Sequence, residues 1–204
     1  MRTLVALIVA AAAVAGGVAL WWPDGDLPGL TRDPAPVVGD LTFLDHTSDD
    51  GPVTVNLVPP SGEVTVAYFG YLGCPDMCPL TMADLKIARD ELGPALADRI
   101  TVAFVTVDPI RDDGDRIRDY LRFFFDDASI LALRARDDAA LSEAAQRFGV
   151  RYEVPADATA DATYEVSHTA ITYLIDDTGT VIRELPFGAP TEDYTTVLRA
   201  ALAP

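Results

Sequence analysis

Both cysteines of this 204-residue chain lie in one short segment, in which Cys74 and Cys78 are separated by three residues and each is followed by proline. Because the chain has no other cysteine, we expect the two thiols to act together. Such a pair can form a dithiol/disulfide couple or hold a soft metal ion as two thiolates. A disulfide needs Cβ atoms about 3.5–4.5 Å apart, whereas a metal clamp has sulfur–metal bonds of about 2.3 Å. A loop of this length is compatible with both.

The two prolines indicate how this loop meets the helix that follows it. A residue before proline is disfavoured in the helical region of backbone space, so neither Cys74 nor Cys78 is expected inside a helix. Pro79 is predicted at the first helical position, which makes Cys78 the cap residue. The partial positive charge of a helix N-terminus favours a thiolate. The segment therefore predicts two poised thiolates at a helix start.

A metal bound by two thiolates needs a further ligand, and the chain contains only two histidines. His168 stands just before the apolar run Ala170–Ile175, a predicted strand whose preceding loop we expect beside the cysteine loop in the fold described below. We therefore predict His168 as the third metal ligand. His46 follows Asp45 in an early hairpin and is predicted to have a structural role.

Other residues near the cysteines could support the site. Asp108, Arg111 and Asp112 follow a predicted buried strand, where they could surround the metal ligands, face a partner or form a salt bridge that organises the turn. Asp76 could attract a cation, but an exposed loop acid is equally expected there. Although a thioether can bind Cu(I), packing is favoured for the methionines of this region as for its aromatic residues. The residues predicted to pack are Phe69, Tyr71, Met77 and Met82.

The elements that position these residues follow from the hydrophobic pattern. It predicts a hairpin (41–44 and 53–58), strands 64–68, 100–107 and 130–133, helices 79–92, 115–125, 138–148 and 191–202, and a late hairpin (170–175 and 181–185). Alternating strands and helices imply parallel central strands, to which the late hairpin adds antiparallel ones. We predict an α/β fold, a thioredoxin-like sandwich with a central mixed sheet and helices on both faces. The cysteine loop follows the first central strand, at the edge where open α/β sheets place their chemistry.

The N-terminal segment predicts export. The uncharged run Leu4–Trp22 would make a helix of roughly 28 Å, close to the roughly 30 Å hydrocarbon core of a bilayer. Arg2 precedes this run, tryptophans close it and acidic residues follow, so the body is expected outside the cytoplasm. We predict residues 1–22 as an uncleaved membrane anchor, with a cleaved signal peptide as the alternative, 23–36 as a Pro/Gly-rich linker and 37–204 as the domain. Either alternative places the domain on the periplasmic or extracellular side, where a thiol pair can oxidise.

The charge of the chain argues against one class of partner. With 32 acidic and 15 basic residues, the formal net charge is −17. Such a surface repels nucleic acid and anionic lipid, so no nucleic-acid partner is expected.

Three segments resemble the signatures of the Sco/SenC family of copper-binding proteins. The run YFGYLGCPDMCP (68–79) is similar to the family's copper motif, VTVDPIRD (105–112) to its second signature, and SHTAITYLID (167–176) to the segment that bears its third copper ligand. The resemblance extends from about Val37 to Leu202. It implies a membrane-tethered thioredoxin-like domain that binds copper, as Cu(I) or Cu(II), through Cys74, Cys78 and His168.

The resemblance also implies a function. Family members serve assembly of the binuclear copper centre of cytochrome c oxidase, so we expect a metallochaperone whose partners are the copper-centre subunit and other periplasmic copper chaperones. The alternative is a thiol–disulfide reductase that reduces the cysteines of that copper site with Cys74 and Cys78 alone. A peroxidase is a weaker third hypothesis without specific residues. Family members often carry aspartate before the ligand histidine, where this chain has Ser167; that change removes no ligand but leaves the redox tuning open.

Overall fold

The computed structural model of the chain describes residues 27–203. The predicted membrane anchor, residues 1–22, lies outside this range. Within residues 27–203 no helix has the length and apolar character that crossing a bilayer requires. The described part of the predicted linker lies against the domain, where Leu30 pairs with Glu184 in an isolated β-bridge. Directly after the linker, Val37 pairs with Thr180 in a second one.

A seven-stranded mixed sheet forms the centre of the domain, and a separate two-stranded sheet lies beside it. The strands are β1 (Phe43–Asp45), β2 (Val53–Val55), β3 (Val64–Gly70), β4 (Ile100–Thr106), β5 (Ile130–Arg134), β6 (Tyr152–Glu153), β7 (Ser167–His168), β8 (Ile171–Ile175) and β9 (Val181–Pro186). The helices are α1 (Met77–Leu92), α2 (Pro94–Ala97), α3 (Gly114–Arg122), α4 (Asp138–Phe148) and α5 (Thr191–Ala201). The order in the large sheet is β2-β1-β5-β4-β3-β8-β9.

The central strands β3, β4 and β5 are parallel, and antiparallel strands flank them, β1 beside β5 and β8 beside β3. All seven residues of β3 are buried, which a strand covered on both faces requires. Leu85 of α1 and Val197 of α5 pack beside Val66 on one face. On the other face, Phe148 of α4 packs on Phe69 with ring centroids 5.0 Å apart. The prediction of an α/β sandwich around a mixed sheet is confirmed.

The predicted elements are found in the predicted order, with ends that differ by a few residues. Helix α1 ends at Leu92, directly before the Gly93-Pro94 pair that was predicted to end or kink it. Gly93 has a φ of 78°, a backbone conformation that residues other than glycine rarely adopt. The short helix α2 and the β6–β7 pair were not predicted. A two-residue strand is too short to produce the alternation of apolar and polar residues that predicts a strand. The β6–β7 pair nevertheless matters for the site, because it places His168 opposite Tyr152.

Candidate metal centre

The cysteine loop joins the end of β3 to the start of α1. Cys74 lies in the loop, as predicted, but helix α1 begins at Met77, so Cys78 lies within its first turn rather than at the cap. The prediction that Cys78 is the cap residue and Pro79 the first helical residue is therefore wrong. The N–H groups of a first helical turn have no acceptor within the helix, so proline is tolerated at the third position as well. The Cys78 N–H instead donates to Cys74 Sγ at 3.4 Å.

The structure brings the three predicted ligand residues together. The Sγ atoms of Cys74 and Cys78 and a ring nitrogen of His168 all lie within 4.8 Å of one another. Cys78 Sγ is 3.6 Å from His168 Nε2. Both cysteines are free thiols and buried, Cys74 with 7% of its surface exposed and Cys78 with 1%. Between residues 27 and 203, no other histidine, cysteine and carboxylate side chains cluster in this way.

The orientation of His168 leaves one nitrogen available to a metal. Its Nδ1 lies 3.2 Å from the backbone oxygen of Thr169, which can only accept, so Nδ1 carries the proton and donates. Nε2 then presents its lone pair towards the thiols, as in metal-binding histidines whose other nitrogen donates to a carbonyl. The ring is held edge-on by Tyr71 at a centroid distance of 5.7 Å and by Tyr68 at 6.1 Å.

The two thiols have opposite ionisation behaviour. The hydrogen bond from Cys78 lowers the pKa of Cys74 to about 5, with a smaller contribution from the Cys78 N–H. The interaction with Cys74 and burial raise the pKa of Cys78 well above its usual range. At neutral pH the pair is therefore a Cys74 thiolate that accepts a hydrogen bond from a Cys78 thiol.

Gly70 makes room for the second thiol at the end of β3. A Cβ at this position would lie 2.9 Å from Cys78 Sγ and from ring atoms of Phe104 and Tyr68. Cβ atoms in proteins essentially never approach other heavy atoms this closely, so the packing favours glycine here. The sequence offers one indication, a glycine at the end of an otherwise bulky strand.

The loop after β4 supports the cysteine loop. Asp112 is buried, accepts hydrogen bonds from the Leu72 N–H at 3.0 Å and from Thr106 Oγ1 at 2.7 Å, and its pKa is raised chiefly by burial. Asp108 and Arg111 form a salt bridge at 2.6 Å. These residues were predicted to surround the metal ligands, to face a partner or to form a salt bridge that organises the turn. The structure contains the salt bridge.

The other predicted residues lie around the site without joining the ligand group. Asp76 is the N-cap position of α1, and its side chain makes no capping hydrogen bond. Met82 is fully buried and Met77 packs partly buried against the core, while exposed Ser167 lies in β7. His46 lies elsewhere, packed so closely on α3 that a Cβ at Gly114 would be 2.0 Å from its ring. Burial lowers the pKa of His46.

Comparison with protein families assigns the chain to one of them. The SCO1/SenC family model matches residues 31–203. The chain belongs to the SCO1/SenC family. Its resemblance to that family is thus confirmed over nearly the whole domain.

Several members of the family are similar to this chain in sequence or in structure. The chain is 24% identical to the SCO2-like protein RC0895 of Rickettsia conorii over 96% of this chain and 93% of the relative. Solved structures include apo Sco1 from Thermus thermophilus (30% identity, TM-score 0.69, covering 84% of this chain and 95% of that one). Another is Bradyrhizobium japonicum ScoI with copper bound (26% identity, TM-score 0.65, covering 81% and 99%).

Proposed function

We propose that this protein is a copper-binding assembly factor, a metallochaperone, that binds copper through Cys74, Cys78 and His168. The observation that carries the proposal is the convergence of two sulfurs and an imidazole nitrogen within 4.8 Å. The relative from Bradyrhizobium japonicum, solved with copper bound, has the same fold.

The chemistry of the donor set fits copper. Thiolate sulfur selects soft ions such as Cu(I), and imidazole accepts copper in both common oxidation states. Structural zinc sites generally close with four protein ligands. In the part of the chain that the structure describes, only three such ligands converge. A three-ligand site with one partly exposed imidazole suits an ion that is delivered rather than retained.

We propose that this protein delivers copper to the copper-centre subunit of cytochrome c oxidase. Other extracytoplasmic copper chaperones would supply the copper. Membership of the SCO1/SenC family supports this assignment. A protein of the same fold, 19% identical, is described as a member of the Sco family of cytochrome c oxidase assembly proteins.

A copper titration tests the three-ligand proposal. The purified domain is expected to bind one copper, and Cys74→Ser, Cys78→Ser and His168→Ala are each expected to weaken binding sharply. With Cu(II), a thiolate charge-transfer band should appear and should change in His168→Ala. His46→Ala is the matched control, because it removes the other histidine without touching the site. An affinity that is unchanged in His168→Ala overturns the three-ligand proposal.

A thiol–disulfide reductase is the second candidate, and the asymmetry of the thiols favours it. The Cys74 thiolate is the more exposed of the pair. It can attack one sulfur of a target disulfide and release the first target thiolate. Cys78, after losing its proton, attacks Cys74 Sγ and releases the second. The target gains two electrons and the domain ends as a Cys74–Cys78 disulfide, which an external thiol reductant must reduce.

Measurements of redox function separate the two candidates. The reductase requires both cysteines and no imidazole, so His168→Ala should reduce an oxidised copper-site peptide at the wild-type rate. A metallochaperone alone should show negligible exchange with the same peptide. The reduction potential, measured against glutathione with and without copper, gives the equilibrium side of the comparison.

We further propose that the domain works outside the cytoplasm, attached through the apolar run Leu4–Trp22. The length of that run and the arginine before it support this placement. Fractionation of cells that express the full chain tests it: the protein should remain with membranes after a carbonate wash and should be degraded by protease added from the extracytoplasmic side.

A further inference from the structure

The segment that delivers His168 to the site has little regular structure of its own. Residues 154–166, between β6 and β7, form no helix or strand, and each strand of the β6–β7 pair has two residues. Strands this short form few ladder hydrogen bonds, and an isolated two-stranded pair is marginally stable at best. Backbone pairing alone therefore fixes the position of His168 only weakly.

Tyr164, four residues before His168, attaches this segment to the loop after β4. The Arg111 guanidinium lies over the Tyr164 ring, 3.4 Å from its centroid. The Tyr164 hydroxyl donates to Asp108 Oδ1 at 2.8 Å, and the Tyr164 backbone oxygen accepts from Arg111 Nη1 at 2.8 Å. Arg111 Nε in turn donates to Asp108 Oδ2 at 2.6 Å. Each of the three residues thus contacts the other two.

The same loop also holds the thiol side of the site. Asp108 is fully buried, and its backbone N–H donates to Thr106 Oγ1 at 2.9 Å, at the end of β4. Four residues later, Asp112 binds the Leu72 N–H of the cysteine loop. One short loop therefore connects the segment with the cysteines to the segment with the histidine.

We propose that Asp108, Arg111 and Tyr164 form a latch that positions His168 relative to the two thiols and thereby sets the copper affinity of the site. The inference about affinity rests on the proposed copper-binding function; the positioning of His168 does not. These are positioning residues, because they contact neither a thiol sulfur nor the imidazole Nε2 among the described contacts. Loss of an outer residue that orients a metal ligand typically costs about 10–100-fold in metal affinity.

Tyr164→Leu is the sharpest perturbation, because it removes the ring and the hydroxyl and leaves the cysteine loop untouched. Tyr164→Phe is the conservative variant, which keeps the ring under Arg111 and loses one hydrogen bond. Arg147→Gln is the matched control, since it breaks an ion pair with Asp40 on the surface of α4 and contacts none of the three residues.

The first measurement needs no metal. In the reduced, copper-free protein, the Thr169 N–H donates to the Arg151 oxygen at 2.8 Å, beside His168. Its hydrogen exchange should accelerate about 10-fold or more in Tyr164→Leu, less in Tyr164→Phe and not in Arg147→Gln, while amides of β3 stay protected. Exchange at Thr169 that equals wild type in Tyr164→Leu overturns the latch, whatever the protein does with copper.

The second measurement tests whether the latch acts through the imidazole. Tyr164→Leu should weaken copper binding about 10-fold in the wild-type background and have almost no effect in His168→Ala, whose ligand is already missing. The same loss in both backgrounds overturns the link to copper affinity. If wild type and His168→Ala bind copper equally, the three-ligand function fails instead, and the exchange measurement alone decides whether the latch exists.

Discussion

The ionisation of Cys74 predicts a particular pH dependence of its alkylation. We consider the reduced, copper-free protein treated with iodoacetamide. The hydrogen bond from Cys78 is the largest cause that lowers the pKa of Cys74 to about 5, whereas an ordinary cysteine has a pKa near about 8.5. Because the thiolate is the reactive form, Cys74 should stay reactive through the acidic range in which an ordinary thiol is protonated.

The magnitude follows from two opposing factors. At pH 7, Cys74 is about 99% ionised and an ordinary thiol about 3%, a roughly 30-fold advantage in thiolate. Intrinsic nucleophilicity falls with pKa, with a Brønsted coefficient of about 0.4–0.5, which over about 3.5 pKa units costs roughly 40-fold. Burial of Cys74, which is 7% exposed, slows its reaction further at every pH, so each rate is compared with its own value at pH 7. At pH 5.5 the ionised fractions are about 76% and about 0.1%, so the Cys74 rate should fall by only about a quarter while the rate of the ordinary thiol falls roughly 30-fold.

Stopped alkylation followed by mass spectrometry measures both rates, with a cysteine peptide as the reference. Cys78→Ala removes the donor and should move the midpoint of the profile upward, and Cys74→Ala should react slowly because Cys78 is 1% exposed. A rate for the wild-type protein that falls tenfold for each unit between pH 7 and pH 5.5 would refute the assignment of Cys74 as the thiolate.

Three further predictions concern packing and protons. Gly70→Ala places a Cβ 2.9 Å from Cys78 Sγ and from two rings, so calorimetry should show a loss of about 1–3 kcal/mol in unfolding free energy, and copper binding should weaken. Gly114→Ala would place a Cβ 2.0 Å from the His46 ring and 2.5 Å from the His46 Cβ. Denaturant unfolding should show a similar loss, which nearly disappears in a His46→Gly background because that variant removes both contacts. Copper binding near neutral pH should release one thiol proton, from Cys78 and not from Cys74.

Matched variants make the two packing predictions decisive. Gly73→Ala lies in the same loop as the cysteines, but its Cβ would have its nearest neighbour at 3.3 Å, so it should be tolerated much better than Gly70→Ala. Equal stabilities of these two variants would contradict the close approach at Gly70. For Gly114→Ala, an equal cost with His46 and with glycine at that position would show that the clash is not with the His46 side chain.

Much of the scaffold was predictable because its physical causes are local in sequence. The runs that form β3 and β4 are apolar except for threonines, as expected of strands covered on both faces. The end of α1 depends only on Gly93, which adopts a positive φ, and on Pro94, which cannot donate a helical hydrogen bond. The proximity of His168 to the cysteines could be predicted from two further facts. Functional loops of an open α/β sheet gather at one edge, and the chain has only two histidines.

The details that set the geometry of the site were not predictable, because they depend on contacts between distant residues. The start of α1 was placed two residues late, since rules for proline permit several positions in the first turn. Tyr164 contacts Arg111, 53 residues earlier in the chain. No periodicity or local motif around Tyr164 indicates that contact.

The proton on Cys78 links the two proposed functions. Bound copper requires both sulfurs as thiolates, so affinity must rise with pH wherever a thiol has to lose its proton. Because the pKa of Cys74 is lowered to about 5 and that of Cys78 is raised, Cys78 is the only one of the two thiols that contributes between pH 6.5 and 8. The logarithm of the copper affinity should therefore rise by about one per pH unit, against about two for a pair of ordinary thiols. Repeating the titration with His168→Ala removes the contribution of the imidazole. A slope of two would mean that Cys74 is protonated in the free protein, which would remove the physical basis both for a poised metal site and for Cys74 as the attacking thiolate.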